Sequence, residues 1–213
     1  MTTSDKILAA VSGSAPFAFS RWGDGEWACV LGRSGCNCDG HPYTPSLGRA
    51  LGNVLKGNPK YMLGMQPMAI DLMRFEITKW LTDNKLKFNW ENADALHNMS
   101  EQGGTAKLTC LFRGRRIILV GPEYLHELKL FQLDNHIIVP EKNCWEAYED
   151  IQDSLFSVKV RDYDIVLFSA SMMSKVLIDD LWKQGRGVLL DCGSVFDPYC
   201  GRLTRKYHKN VKV

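Results

Sequence analysis

The stretch Arg116-Ile117-Ile118-Leu119-Val120-Gly121-Pro122 decides the fold class of this chain. Its apolar run is stopped by a glycine and a proline, which is typical of a buried strand. Two further runs of the same kind follow, Asp164 to Phe168 and Gly187 to Asp191, with helical patterns between them. Uninterrupted apolar strands that alternate with helices indicate a parallel sheet covered on both faces. We therefore predict a Rossmann-like, doubly wound α/β fold with a mainly parallel sheet.

The first half of the chain repeats this alternation. A short helix is expected from Ser4, its N-cap, to Val11, and a short strand covers Phe17 to Ser20. The other predicted strands are Tyr61–Met65, Phe88–Ala93 and Ile137–Val139; the other predicted helices are Glu26–Leu31, Pro45–Lys56, Pro67–Leu81, Ala95–Phe112 (interrupted by Gly103-Gly104), Glu123–Leu128, Cys144–Phe156 and Met172–Lys183.

Size and composition are those of an ordinary globular protein. The chain has 213 residues, 45% hydrophobic and 23% charged, with a net charge of +2. We predict a single domain over residues 1–213, with a basic C-terminal tail over 201–213. The sequence shows neither a signal peptide nor an apolar run of about 20 residues that could cross a bilayer. Its seven cysteines form no Cys-x-x-Cys pair, so we expect reduced thiols and a cytoplasmic location.

Chemically rich segments follow five of the predicted strands. In an open parallel sheet, ligands bind outside the carboxyl ends of the strands, so these segments are expected to meet at one edge. This placement indicates an enzyme or a ligand-binding protein. The segments are Ser20 to Glu26, Gly64 to Gln66, Gly121 to Glu123, Ser169 to Ser174 and Asp191 to Asp197.

The densest of these segments contains Asp24-x-Glu26 and Arg21. Two carboxylates this close suit Mg²⁺ or Mn²⁺ shared with a substrate diphosphate, and the arginine suits a phosphate. Gly23 and Gly25 would allow the backbone to approach a ligand closely. The structural alternative is that Asp24 caps a helix, Glu26 complements its dipole and Arg21 forms a surface ion pair.

The remaining segments each keep two interpretations. Gly121-Pro122 opens a helix where backbone amides could meet an anion, or it is only a tight turn. Ser169 and Ser171 offer hydroxyls, although helix capping by Ser171 is favoured. Asp191 and Asp197 lie where a catalytic acid or base is often found.

Basic and imidazole groups are less informative. The basic tail, which contains Arg205, could close over a diphosphate or contact a polyanionic acceptor, or it could be a solvated C-terminus. The five histidines show no metal-ligand spacing, and only His41, in the loop after the acidic segment, is retained as a candidate.

The acidic segment also carries a family resemblance. Phe19-Ser20-Arg21-Trp22-Gly23-Asp24-Gly25-Glu26 resembles the Arg-aromatic-Gly-Asp-Gly-Glu signature of GT-D-type glycosyltransferases. Weaker similarities follow in order over nearly the whole chain, at Tyr43–Leu47, Leu63–Pro67, Asn92–Asp94, Leu119–Pro122, Pro140–Trp145 and Asp191–Pro198.

This resemblance implies transfer of a sugar from a nucleotide-sugar donor, commonly a UDP-sugar, with Mn²⁺ or Mg²⁺ held by Asp24 and Glu26. A base would help to deprotonate the acceptor hydroxyl, and Asp191, Asp197 and His41 stay open for that role. The catalytic candidates are thus Asp24, Glu26, Asp191 and Asp197, and the donor-binding candidates are Ser20, Arg21, Gly23, Gly25, Gln66, Gly121, Pro122, Ser169, Ser171, Ser194 and Arg205.

The acceptor stays open between two classes. Small size and the basic tail favour a hydroxymethylated base in DNA, as in small phage enzymes, and a glycan or protein-linked glycan is the alternative. A non-catalytic nucleotide-binding module on the same fold is the competing class of function.

Overall fold

The chain forms a single seven-stranded sheet. The computed structural model describes residues 1–38 and 40–211, and all strand pairs in it are parallel. The strand order is β3-β2-β1-β7-β6-β4-β5. This confirms the predicted parallel α/β fold. The strands are β1 (Phe17–Trp22), β2 (Met62–Met65), β3 (Glu91–Asn92), β4 (Ile117–Gly121), β5 (Asn135–Ile138), β6 (Ile165–Phe168) and β7 (Val188–Asp191).

Helices cover both faces of the sheet. Helices α2, α3, α4, α7 and α8 pack on one face and α1, α5 and α6 on the other, as their buried side chains show. Alternate residues of β4 point to opposite faces, with Ile118 and Val120 in one core and Ile117 and Leu119 in the other. The helices are α1 (Thr3–Ser12), α2 (Asp24–Val30), α3 (Pro45–Lys56), α4 (Pro67–Asp83), α5 (Ala95–Glu101), α6 (Thr105–Cys110), α7 (Tyr148–Ser157) and α8 (Ser174–Trp182).

Strand β1 is longer than predicted. Arg21 and Trp22 continue it by pairing with Gly64 and Met65 of β2, and α2 begins at Asp24. Gly23 is therefore the single residue between strand and helix. The segment interpreted as a loop is mostly regular structure, which fixes its side chains more firmly than a loop would.

Several other element ends differ from the prediction. Thr2, rather than Ser4, caps α1, because its hydroxyl accepts a hydrogen bond from the backbone N–H of Asp5 while the Asp5 carboxylate bonds back to Thr2. The predicted strand Phe88–Ala93 shortens to β3. The helices expected from Cys144 and Met172 begin as 3₁₀ turns, Cys144–Ala147 and Ser171–Met173.

The described part of the basic tail is folded. Of the two 3₁₀ turns that follow β7, Asp197–Cys200 precedes the tail, whereas Lys206–Asn210 lies in it and packs against α5. The Asn210 side-chain amide donates to Glu101 Oε1 at 2.8 Å. Residues 212–213 lie outside the described residues. Within residues 1–38 and 40–211, no helix has the length and apolar character needed to cross a membrane.

Candidate functional site

A cleft of about 720 Å³ opens at the carboxyl edge of the sheet. It is lined by residues that lie just beyond the ends of five different strands, so the chemically rich segments do meet as the sequence predicts. The size is sufficient for a ligand of nucleotide-sugar dimensions. Those residues are Gly23 after β1, Gln66 after β2, Pro122 after β4, Ser169 after β6 and Gly193 shortly after β7.

The turn from β1 to α2 forms one side of the cleft. A β-carbon at Gly23 would lie 2.7 Å from the side-chain oxygen Oε1 of Gln66, so a larger residue does not fit there without displacing Gln66. Asp24 opens α2 and lines the cleft. Its carboxylate has no hydrogen bond or ion pair with any other described residue, which leaves it available to a ligand.

Glu26, by contrast, is committed to a buried ion pair. Its Oε1 lies 2.7 Å from Lys175 Nζ, and its Oε2 accepts the backbone N–H of Gly23 at 2.8 Å. Lys175 Nζ also lies 2.9 Å from Asp191 Oδ2. One ammonium thus joins two carboxylates, and all three side chains are buried. We call Glu26, Lys175 and Asp191 the buried triad.

Lys175 and Glu26 of the buried triad are ionised at neutral pH. Burial alone would lower the pKa of Lys175, but the carboxylates of Asp191 and Glu26 outweigh it and raise that pKa. Burial would raise the pKa of Glu26, but the charge of Lys175 and the hydrogen bonds from Lys175 and Gly23 lower it.

Of the two predicted metal ligands, only Asp24 is therefore available to bind a metal ion. Both Glu26 oxygens already have partners, so its predicted role as a metal ligand disagrees with this geometry. Across residues 1–38 and 40–211, no three Asp, Glu, His or Cys side chains are arranged to hold a metal ion. Asp24 alone fits, because Mg²⁺ in particular can bind through one carboxylate when substrate phosphates supply further oxygens.

The side chain of Arg21 is fixed on the other side of β1. Its Nε donates to the backbone oxygen of Ala93 at 2.7 Å, and its Nη2 lies 3.1 Å from His97 Nδ1 and 3.5 Å from Asp94 Oδ1. A β-carbon at Gly193 would lie 2.2 Å from Arg21 Nη1. The guanidinium thus packs directly on a glycine at the cleft surface.

The C-terminal segment forms a wall of the cleft. The hydroxyls of Tyr124 and Thr204 donate to the two Asp197 carboxylate oxygens at 2.9 and 3.3 Å. The guanidinium of Arg202 lies 4.5 Å from the centre of the Tyr124 ring. Tyr207 stacks on His97, with ring centroids 4.4 Å apart, and its hydroxyl is 2.9 Å from the Ser194 hydroxyl.

Most of the predicted site residues line this cleft. They are Arg21, Gly23, Asp24, Gly25, Glu26, Gln66, Pro122, Ser169, Ser171, Ser194, Asp197 and Arg205, together with His41.

Three predicted residues do not line the cleft. Ser20 is fully buried and accepts a hydrogen bond from the Trp22 indole at 3.0 Å. Gly121 lies inside β4, and its oxygen is 3.0 Å from His136 Nε2. Asp191 is fully buried in the triad, and its Oδ2 also accepts the backbone N–H of Arg21 at 3.0 Å. Asp191 is therefore corrected from a candidate base to a residue that supports Lys175 and β1.

Sequence reasoning missed Lys175, His97, Asp94 and Tyr207, all of which line the cleft. One signal could have found Lys175. It is the single charged residue in Met172-Met173-Ser174-Lys175-Val176-Leu177-Ile178, and a lysine in so apolar a stretch needs a buried partner. His97 carries no such signal, because its partners are far away in the sequence.

Comparison with known proteins identifies the family. A sequence profile described as a GT-D fold-like domain matches residues 63–199. The chain belongs to this GT-D-like family. The matched region of the GT-D-like chain includes Lys175, His97 and Asp197, whereas Arg21 to Glu26 precede it.

Solved structures resemble this GT-D-like chain over most of its length. One from Streptococcus sanguinis, described as a new glycosyltransferase (DUF1792), has a TM-score of 0.66 at 20% identity and covers 92% of this chain and 82% of its own. Another, described as a domain of unknown function 1792 with a distinct glycosyltransferase fold, has a TM-score of 0.63 at 16% identity and covers 92% and 84%. The predicted GT-D-like fold is thereby confirmed. No curated protein matches the chain.

Proposed function

We propose that this protein is a glycosyltransferase that moves a sugar from a nucleotide-sugar donor, a UDP-sugar by the family resemblance, to an acceptor hydroxyl. Membership of the GT-D-like family supports transfer as the reaction class. The observation that carries the proposal is the side chain of Arg21, which the Ala93 oxygen and His97 hold at the wall of a large cleft at the carboxyl edge. A fixed guanidinium there is suited to a diphosphate leaving group.

The residues of the cleft divide the chemistry between two sides. Arg21 would bind the donor diphosphate and stabilise the charge that grows on it as the bond to the sugar breaks. Arg205 lines the same cleft and would add a second positive charge. Among the three candidate bases, Asp197 and His41 line the cleft and Asp191 does not. Both stay candidates, although the two Asp197 carboxylate oxygens already accept hydrogen bonds from the hydroxyls of Tyr124 and Thr204.

A divalent metal, which the resemblance implies, would be held by Asp24 together with oxygens of the donor diphosphate. When bound, Mn²⁺ or Mg²⁺ would neutralise part of the leaving-group charge. Glu26 would contribute indirectly, because its bond to the Gly23 N–H and its pairing with Lys175 fix the start of α2. This predicts that Asp24 and Glu26 differ in their effects on metal affinity.

Both acceptor classes remain proposals. The basic tail favours a hydroxymethylated base in DNA, but residues of the described tail form part of the cleft wall. Arg202, for example, lies 3.7 Å from Glu141 and stacks on Tyr124. A gel-shift titration with hydroxymethylated duplex DNA at increasing salt tests this version, because phosphate contacts weaken with salt. Absence of binding at low salt would leave the glycan acceptor.

The function is tested by ligand-induced stabilisation followed by turnover. A panel of nucleotide sugars is added at about 100 times the expected Kd, with and without Mn²⁺, and the melting temperature is recorded. A true donor should raise it by about 5 °C or more. Hydrolysis or transfer of the same donor, lost in Asp24→Asn, supports the enzyme. Stabilisation without any turnover would instead favour a non-catalytic nucleotide-binding module.

A further inference from the structure

The hydrogen bonding of His97 fixes which of its nitrogens carries the proton. Arg21 can only donate hydrogen bonds, so His97 Nδ1, 3.1 Å from Arg21 Nη2, must be the acceptor. A neutral imidazole with an unprotonated Nδ1 carries its proton on Nε2. Burial, and then the positive charge of Arg21, hold the pKa of His97 well below its ordinary value, in agreement with a neutral ring.

The resulting Nε2–H of His97 has no acceptor among the described residues, although it is buried from solvent. A buried donor without a partner is costly, and such groups are rare in folded proteins. His97 lines the cleft. The Nε2–H therefore belongs to a side chain of the cleft wall and can still donate a hydrogen bond.

A second donor points to the same place. Arg21 Nη1 lies 2.2 Å, and His97 Nε2 3.6 Å, from the position that a β-carbon on Gly193 would occupy. Nη1 takes part in no hydrogen bond with a described residue, unlike Nε and Nη2 of the same guanidinium. Gly193 has no side chain and a positive φ of 53°. A larger residue at position 193 would collide with the Arg21 guanidinium, so Gly193 lets the guanidinium and the imidazole come together at this point of the cleft.

We propose that Arg21 Nη1–H and His97 Nε2–H form a two-donor oxyanion subsite that holds a phosphate oxygen of the donor diphosphate. This rests on the proposed function and adds His97 as a ligand-binding residue. Stacking of Tyr207 on the imidazole, with the Tyr207 hydroxyl bonded to Ser194, keeps the ring in this orientation. The subsite thus joins α5, β1, the segment after β7 and the C-terminal wall.

The test uses inorganic pyrophosphate as the probe, in the presence of EDTA, with affinity measured by calorimetry. Two substitutions form a matched pair, His97→Gln and His97→Asn. Both amides can accept from Arg21 Nη2, but only glutamine is long enough to place an N–H where His97 Nε2 stands. We expect His97→Gln to bind within about threefold of the unmodified protein and His97→Asn to bind about tenfold more weakly.

Two further variants complete the experiment. His97→Phe keeps a ring against Tyr207 and removes both nitrogens, and it should lose affinity as His97→Asn does. His126→Phe, an exposed histidine outside the cleft, should bind as the unmodified protein does. Equal affinity of the glutamine and asparagine variants, whether both high or both low, overturns the subsite.

Two further measurements identify the chemical class of the anion and distinguish failure of the subsite from failure of the proposed function. Glucuronate replaces pyrophosphate in one arm, and a preference for this sugar carboxylate would overturn the assignment to a diphosphate. The pyrophosphate measurement needs no turnover. Failure of all nucleotide sugars in the stabilisation and transfer assays would therefore reject the glycosyltransferase proposal on separate data.

Discussion

Two polar clusters lie on either side of β1 and differ in how their charges are satisfied. In the buried triad of Glu26, Lys175 and Asp191, the ammonium bridges the two carboxylates and both Glu26 oxygens are engaged. Around Arg21 and His97, the Nη1–H and Nε2–H groups lie near Gly193, and neither has an acceptor among the described residues. Both clusters line or support the same cleft. Although Asp191 Oδ1 has no described hydrogen-bond partner, the contacts of the triad are mainly internal, and we infer that it supports the site while the second cluster and Asp24 are available to a ligand.

Breaking the triad should have the largest effect. Lys175→Met leaves two carboxylates buried without their cation, and removal of one partner from a buried ion pair typically costs about 3–5 kcal/mol. We expect a loss of that size in the free energy of unfolding, measured by urea denaturation. Adding Glu26→Gln to Lys175→Met should restore part of it, because one uncompensated charge disappears. Loss below about 1 kcal/mol for Lys175→Met would show that the triad is not a structural element.

The next largest effect should be a difference between substitutions of the two acids in the Asp24-x-Glu26 motif. Asp24→Asn should change the free energy of unfolding by less than about 0.5 kcal/mol, since its carboxylate has no hydrogen bond or ion pair with a described residue. It should lower transfer about 100-fold if Asp24 holds the metal, equivalent to about 3 kcal/mol. Glu26→Gln should instead destabilise the fold by about 1–3 kcal/mol. Steady-state kinetics and urea denaturation of the same two variants measure both effects, and identical behaviour would contradict the division.

Lowering the pH should reduce the free energy of unfolding through both clusters, but over different pH ranges. The pKa of His97 is lowered in the folded protein, so the unfolded chain binds more protons and stability falls as the pH drops below about 6.5. The pKa of Glu26 is also lowered, so its contribution is present above its ordinary value of 4.5 and is lost as the pH falls further. His97→Gln should flatten the dependence below about pH 6.5, and Glu26→Gln that below about pH 4.5.

This comparison needs a control, because burial lowers the pKa of His136 and His208 as well. His136→Gln should remove its own part of the slope and leave the part due to His97. Unfolding free energies measured at several pH values resolve the two. An unchanged slope in His97→Gln would mean that His97 is not held neutral in the folded protein.

The smallest effect on the free energy of unfolding is expected for Arg202, in the C-terminal wall of the cleft. Arg202 and Glu141 are both about half exposed and 3.7 Å apart, and solvent-exposed ion pairs contribute little. Stacking on Tyr124 adds a modest cation–π term. Arg202→Ala should therefore lower the free energy of unfolding by about 0.5 kcal/mol in thermal denaturation. A loss comparable to that of Lys175→Met would show that the wall, rather than the triad, maintains the cleft.

The sequence predicts the central sheet well because its strands are buried on both faces. Ile117 to Val120 and Ile165 to Phe168 are continuous apolar runs, which local pattern alone identifies. The edge strand β3 has only two residues and little pattern. Local pattern ends β1 at Ser20, because its extension through Arg21 to Trp22 depends on Asp191 and Ala93, which lie 170 and 72 positions from Arg21. Local propensity cannot represent such partners.

The same reasoning separates the site residues that were predicted from those that were missed. Asp24 and Glu26 stand out because acids and glycines cluster within a few positions. Their different environments depend on Lys175, almost 150 positions further along the chain, so the sequence could not tell the available acid from the committed one. The orientation and tautomer of His97 are set only by its contacts with Arg21 and Tyr207. Contacts between residues far apart in the sequence therefore give residues of the same type different environments, which the sequence alone does not reveal.

The hydrogen bond from the Arg21 backbone to Asp191, which spans 170 residues, has a consequence for the order of folding. Contacts between residues far apart in the sequence form late, because the chain between them must first be closed into a loop. On the ribosome, β1 emerges early but cannot pair with β7 until almost the whole chain has been made. Arg21 and Gly23 would therefore reach their final positions in one of the last steps of folding. Nascent chains that lack β7 should have no functional cleft.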